Sequence, residues 1–172
     1  FSPRNRYVAG VLGEAKIASL LIDLLTEQEE QVDLQTRQLR FDIDLLAGRV
    51  VSATKWLLAK SDLGKLSIGY FGASTGAAAA LVAAAELGEH ISAIVSRGGR
   101  PDLAGAALAK VKAPTLLIVG GNDSVVIDLN ERAMEQLAGE KELAIVPGAG
   151  HLFEEPGAME QVAKYATQWF DR

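Results

Sequence analysis

The chain has 172 residues, 17 Lys and Arg against 22 Asp and Glu, a net charge of −5 and 49% hydrophobic residues. That suits one domain with a sizeable core, and it offers no basic patch for a nucleic acid or an anionic membrane. With no cysteine and two histidines, His90 and His151, disulfides, thiolate zinc sites, a thiol nucleophile and a His-rich metal centre are all excluded.

Tyr7, Val8, Val11, Leu12 and Ala15 follow helical spacing. Ile17 to Leu24 is an almost unbroken apolar run, the pattern of a strand buried on both faces. Thr26 to Arg40 is polar and acidic and reads as a surface loop. Asp42 can cap a helix whose stripe is Leu46, Val50, Ala53 and Leu57. A strand is predicted over Leu66 to Phe71, a small-residue helix over Ser74 to Leu87, and a strand over Ile91 to Val95. A short helix over Asp102 to Val111 and a strand over Thr115 to Val119 follow. Then come a helix over Ile127 to Leu137, a strand over Glu142 to Val146, and a last helix from Pro156 with Met159, Val162, Ala163, Ala166 and Phe170 inward. Trp56 and Trp169 read as packing residues on their helices. Five strands alternating with helices imply a mostly parallel sheet covered on both faces. No apolar stretch is long enough to span a membrane. Phe1-Ser2-Pro3-Arg4 lacks the apolar core of a signal peptide, so a cytoplasmic location is the expectation.

Chemistry concentrates at three strand ends. Gly72-Ala73-Ser74-Thr75-Gly76 matches G-x-S-x-G between a strand and a helix. A nucleophilic serine needs such a tight turn to stand clear of the sheet, with glycines giving the turn room. The turn also sets Ser74 at a helix N-terminus, where the Thr75 N–H can donate to an oxyanion. Serine needs a base. His90 falls at the opposite sheet edge, whereas His151 follows the strand Glu142 to Val146 on the same edge as Ser74. Asp123, just past Thr115 to Val119, is the candidate to orient it; Asp102 and Asp128 compete less well, as a helix cap and a mid-helix residue. The order Ser, Asp, His is that of the α/β-hydrolases. Arg97 and Arg100 lie on this edge, where they could meet a substrate carboxylate or pair with Glu27, Glu29 or Glu30. Val125 and Leu152 flank the triad and are candidates for the acyl pocket.

Tyr70 to Gly76, Leu117 to Asp123, and Gly148-Ala149-Gly150-His151-Leu152-Phe153 together resemble the dienelactone hydrolase-like branch of the α/β-hydrolase superfamily, and the similarity covers essentially residues 1–172. The resemblance implies an α/β-hydrolase fold, a mostly parallel sheet with helices on both faces. It implies a Ser74–Asp123–His151 hydrolase that needs no cofactor or metal. The namesake enzymes carry a cysteine at the nucleophile position, so Ser74 points toward small or short-chain esters, with thioester or peptide hydrolysis as the same machinery on another bond. A non-catalytic binding module of this fold is the alternative of a different class. The link Ser96 to Pro101 is too short for a lid domain. In this fold a further strand, upstream of the first helix here, lies between those matching Ile17–Leu24 and Leu66–Phe71, and its loop supplies the second oxyanion N–H. The resemblance therefore implies an upstream segment that completes the sheet. In some relatives it also implies a fused phosphoribosyltransferase domain.

Overall fold

A computed structural model describes residues 2–172. Its four strands, β1 (Ile68–Ala73), β2 (Ile91–Arg97), β3 (Thr115–Gly120) and β4 (Lys141–Val146), run parallel in the order β1-β2-β3-β4. Six α-helices surround them: α1 (Pro3–Glu14), α2 (Glu27–Thr36), α3 (Ile43–Leu58), α4 (Thr75–Leu87), α5 (Ser124–Gln136) and α6 (Ala158–Phe170). A 3₁₀ segment, Pro101–Lys110, stands where a helix was expected over Asp102 to Val111. It is broken at Gly105, whose φ of 51° is a left-handed value that glycine adopts without steric cost.

The two faces of the sheet carry separate cores. Ile94 and Leu117 pack with Ala80, Leu81 and Ala84 of α4 on one side. Val95, Leu116 and Ile118 pack with Val8 and Leu12 of α1 and Val162, Ala163 and Ala166 of α6 on the other. The alanines of α4 explain how closely that helix lies on the sheet: Ala77, Ala78 and Ala79 are fully buried. β3 is buried at every position because it has a strand on each side and a helix layer on each face.

Three expectations change. First, Thr26 to Arg40 is not a loop, since α2 occupies most of it. Thr26 and Glu29 form a reciprocal capping box, and Arg49 holds Glu29 through two nitrogens at 2.5 and 2.6 Å. Asp33, buried, accepts from the Arg40 backbone and side chain. This helix is held by caps and ion pairs rather than by an apolar stripe. Second, Trp56 is not a packing residue. It is 52% exposed beneath the Lys60 ammonium, 4.6 Å from the ring centroid, whereas Trp169 is buried and donates to the Pro114 carbonyl.

Third, Ile17 to Leu24 is not a strand. It has no regular structure and makes no ladder, and Leu20 and Ile22 are 52% and 42% exposed. Between it and β1 lies a cavity of about 1140 Å³. Residues 17–25 line one side of it and Ser67 to Ala73 the other. Val8 and Leu12 of α1 close one face, and Leu46, Val50, Ala53 and Leu57 of α3 close the opposite one. The cavity is thus bordered by the edge strand β1, by residues 17–25, and by two helix-covered apolar faces. A strand needs a hydrogen-bonded neighbour, and Ile17 to Leu24 joins no ladder of the sheet. Among the described residues no helix is long and apolar enough to cross a membrane.

Candidate active site

Ser74 sits where β1 turns into α4, with φ 51° and ψ −126°. A non-glycine residue held there stores about 1–3 kcal/mol. The surroundings enforce the turn. The Ser74 N–H donates to the Arg97 carbonyl at 3.4 Å, and the Ser74 carbonyl accepts from Ala77 and Arg100, both at 3.1 Å. Gly72 is required, because an added Cβ would lie 2.6 Å from Ala77 Cα and 2.7 Å from the Gly76 carbonyl. Gly76 is freer, its nearest obstacle being Leu24 Cδ1 at 3.9 Å. Only the first glycine of the motif is demanded by these contacts. Ser74 is exposed at the top of the sheet, and Thr75 opens α4, where amides have no intrahelical acceptor.

Asp123 follows β3 and His151 follows β4, and the two loops are stitched together. Gly121 N–H donates to Val146, Asn122 N–H to Ala149, and Asn122 Nδ2 to the Gly148 carbonyl at 2.8 Å. The crossing is close at Gly120, where a Cβ would meet the Gly150 carbonyl oxygen at 2.5 Å. The Glu155 carboxylate accepts from Gly150 N–H at 2.9 Å and ties down the loop just before the histidine. From this frame His151 Nδ1 and Asp123 Oδ2 meet at 2.7 Å. The Asp123 side chain is only 16% exposed and the His151 side chain 44%. A nearly buried carboxylate at Nδ1 favours the tautomer that leaves Nε2 free to accept a hydrogen bond.

Ser74 and His151 lie on either side of the backbone from Arg97 to Arg100. That stretch bonds Ser74 through the Arg97 carbonyl and the Arg100 N–H, and a Cβ on Gly98 would fall 3.8 Å from His151 Cε1. No hydrogen bond joins Ser74 Oγ to His151 among the described residues. Such bonds are commonly long without substrate and tighten in the complex.

The other candidates separate. Arg100 is committed to Asp102, at 2.8 and 2.7 Å, which holds its guanidinium firmly in the charged form. Glu29 belongs to Arg49, so neither arginine pairs with the acidic segment. Arg97 points away from the elbow into the α1 and α6 layer. Val125 and Leu152, 68% and 47% exposed, stand beside Asp123 and His151. The large cavity reaches Ala73, Thr75 and Gly76 but not Asp123 or His151, so it adjoins the elbow without extending to the His151–Asp123 pair. His90 is exposed after α4, and Asp128 is exposed within α5. Glu155 was missed in the sequence, since its role depends on a loop folding back five residues. Among the described residues, no three His, Cys, Asp or Glu side chains cluster as metal ligands.

The sequence matches the dienelactone hydrolase family over residues 16–171. The chain belongs to that family. A dienelactone hydrolase from Anabaena variabilis is 64% identical, with a TM-score of 0.95, over 99% of this chain and 79% of that one. Est1E from Butyrivibrio proteoclasticus shares the fold at 14% identity, with a TM-score of 0.79 over 98% and 81% of the two chains. A Mycobacterium tuberculosis protein provisionally named a phosphoribosyl transferase is 59% identical over 169 residues, 98% of this chain. The chain spans 37% of that relative's length.

Proposed function

We propose that this chain carries the catalytic residues of a serine hydrolase acting on small or short-chain carboxylic esters. The observation that carries the reading is the 2.7 Å contact between His151 Nδ1 and Asp123 Oδ2, across the Arg97–Arg100 backbone from a serine held at φ 51°. In this mechanism His151 Nε2 takes the Ser74 hydroxyl proton as Oγ attacks the ester carbonyl. Asp123 stabilises the imidazolium, and the Thr75 N–H donates to the oxyanion. The proton passes from His151 to the leaving alcohol as the C–O bond breaks and the acyl-enzyme forms. Water, deprotonated by the same nitrogen, then releases the acid and restores Ser74. The exposed Val125 and Leu152 suit a short acyl chain at an open mouth. In the full-length protein, p-nitrophenyl acetate and butyrate should turn over, and Ser74→Ala should reduce kcat by several orders of magnitude. Turnover surviving that substitution would sink the reading.

The cavity beside β1 has the form of a place for one more strand. We propose that a segment upstream of Phe1 fills it, parallel to β1 and joined to α1 at the sheet's carboxyl edge. Each unpaired main-chain group at the free edge of β1 costs about 1–3 kcal/mol, and one inserted strand would satisfy that edge. The mycobacterial relative's length and name support a further domain with phosphoribosyltransferase character in the same polypeptide.

A further inference from the structure

Asn130 lies on α5, about two turns after Asp123, the residue just before that helix. It is 0% exposed. A buried amide is costly unless its polar atoms are used. Asn130 Nδ2 donates to the Val126 carbonyl of its own helix at 2.8 Å and to the Gly99 carbonyl at 3.1 Å. The first bond pins the amide to α5. The second therefore leaves the helix in a set direction and ends on the backbone between β2 and the 3₁₀ segment.

Gly99 is the middle of the stretch that holds the elbow. On one side of it the Arg97 carbonyl accepts from Ser74 N–H at 3.4 Å. On the other, Arg100 N–H donates to the Ser74 carbonyl at 3.1 Å. Gly98 N–H donates to the Ile118 carbonyl of β3 at 2.7 Å. Gly99 itself is buried and pressed onto the start of α4: an added Cβ would lie 2.6 Å from Ala77 Cβ and would overlap Ser96 Oγ. A serine at φ 51° persists only where its surroundings over-determine the backbone. Here the Gly99 carbonyl is the point at which a side chain outside the elbow grips the backbone that both Ser74 bonds depend on.

We infer that Asn130 is a positioning residue: through Gly99 it holds the Arg97–Arg100 backbone against α5, and so sets the place of the Ser74 turn relative to the Asp123–His151 pair. The inference rests on the serine-hydrolase reading. Fully buried, Asn130 touches no substrate, and it bonds neither Ser74 nor His151. It acts through two successive contacts, amide to Gly99 and flanking peptides to Ser74. An apolar side chain of similar size would fill the same space but leave the Gly99 carbonyl without this donor.

The experiment compares full-length wild type, Asn130→Leu, Asn130→Ser, Met134→Ala and Ser74→Ala. A serine at 130 can still bond the Val126 carbonyl, four residues back, but is too short for Gly99. Met134 packs from the same helix into the core away from the elbow backbone and controls for lost stability. The readouts are kcat and KM for p-nitrophenyl butyrate, the rate of inactivation by paraoxon, which phosphorylates the nucleophile, and thermal melts. Both Asn130 variants should lower kcat about tenfold to 100-fold, the upper figure being the cost of a shift near 1 Å. Paraoxon inactivation should slow in proportion, with KM within about twofold. The low-field Nδ1 proton resonance of His151, which reports its bond to Asp123, should stay in place. Met134→Ala should lower Tm and leave kcat and the inactivation rate within about twofold. The inference is overturned if either folded Asn130 variant keeps kcat and inactivation within about threefold, if the loss falls on KM alone, if Met134→Ala loses as much, or if the His151 resonance disappears. Where Asn130→Leu does not fold, Asn130→Ser decides. Failure of both to fold would assign Asn130 to the core and overturn the positioning role. Turnover that does not depend on Ser74 would instead remove the hydrolase reading, and this inference with it.

Discussion

Replacing Gly120 with alanine should damage activity more than stability. A Cβ at this position would sit 2.5 Å from the Gly150 carbonyl oxygen and 2.9 Å from the Ala149 carbonyl carbon. Carbon–oxygen contacts close at about 3.3 Å, so the loop leading to His151 must retreat by roughly 0.8 Å. Overpacking of this kind costs about 1–3 kcal/mol. For a chain of this size that lowers Tm by about 2–12 °C. The catalytic effect is amplified because the displaced loop carries the proposed base, His151, while Asp123 stays with β3. A misplacement near 1 Å at a reacting group costs about 100-fold. The assay is kcat/KM for p-nitrophenyl butyrate beside a thermal melt. Gly48→Ala is the control: it lies exposed in α3, an added Cβ meets nothing within 4 Å, and kcat/KM should not change. If Gly120→Ala melts within the expected range but keeps kcat/KM within about threefold of wild type, the loop crossing does not set the geometry of the His151–Asp123 pair.

Asp123→Asn should leave the fold intact and reduce kcat by about 10⁴, because the amide presents a donor to Nδ1 and favours the wrong tautomer; a loss under tenfold would remove Asp123 from its proposed role. Glu29 is held at a pKa of about 2, chiefly by the Arg49 side chain and then by the Thr26 N–H. Its folded pKa lies below its ordinary value of 4.5, so it stabilises the fold above pH 4.5 and that contribution is lost as the pH falls toward 2. Melts of wild type and Glu29→Gln from pH 6 to pH 2.5 should therefore converge in acid, and a constant gap across that range would refute the assignment.

The placement of the candidate triad on one sheet edge was legible because its signals are local and doubled. Ser74, Asp123 and His151 each follow an apolar run that forms a strand, and chain order alone places all three on one sheet edge. The capping box of α2 was also written in Thr26-Glu27-Gln28-Glu29, yet the segment's lack of an apolar stripe hid the helix. Its stability comes from pairs such as Arg49–Glu29, twenty residues apart, which no periodicity reveals. Pairing was illegible for the same reason. Ile17 to Leu24 has the composition of a buried strand, but a strand is a relation between neighbours rather than a property of a segment. The expected pairing of Arg97 with an acidic residue failed because period-two alternation sends it to the face opposite Asp102 and α2.

The proposed chemistry divides unevenly across the molecule. Everything that moves a proton rides on the continuous sheet: Ser74 after β1, Asp123 after β3, and His151 after β4, with Arg97 to Arg100 after β2 between them. These parts are fixed by buried strands and by loops bonded to one another. What would stabilise the developing oxyanion lies toward the cavity, where the described residues contribute the Thr75 amide. A single donor is worth about 2.7–4 kcal/mol of transition-state stabilisation, comparable to several main-chain hydrogen bonds of the proposed strand. The same insertion therefore completes the core and the electrostatics of the site.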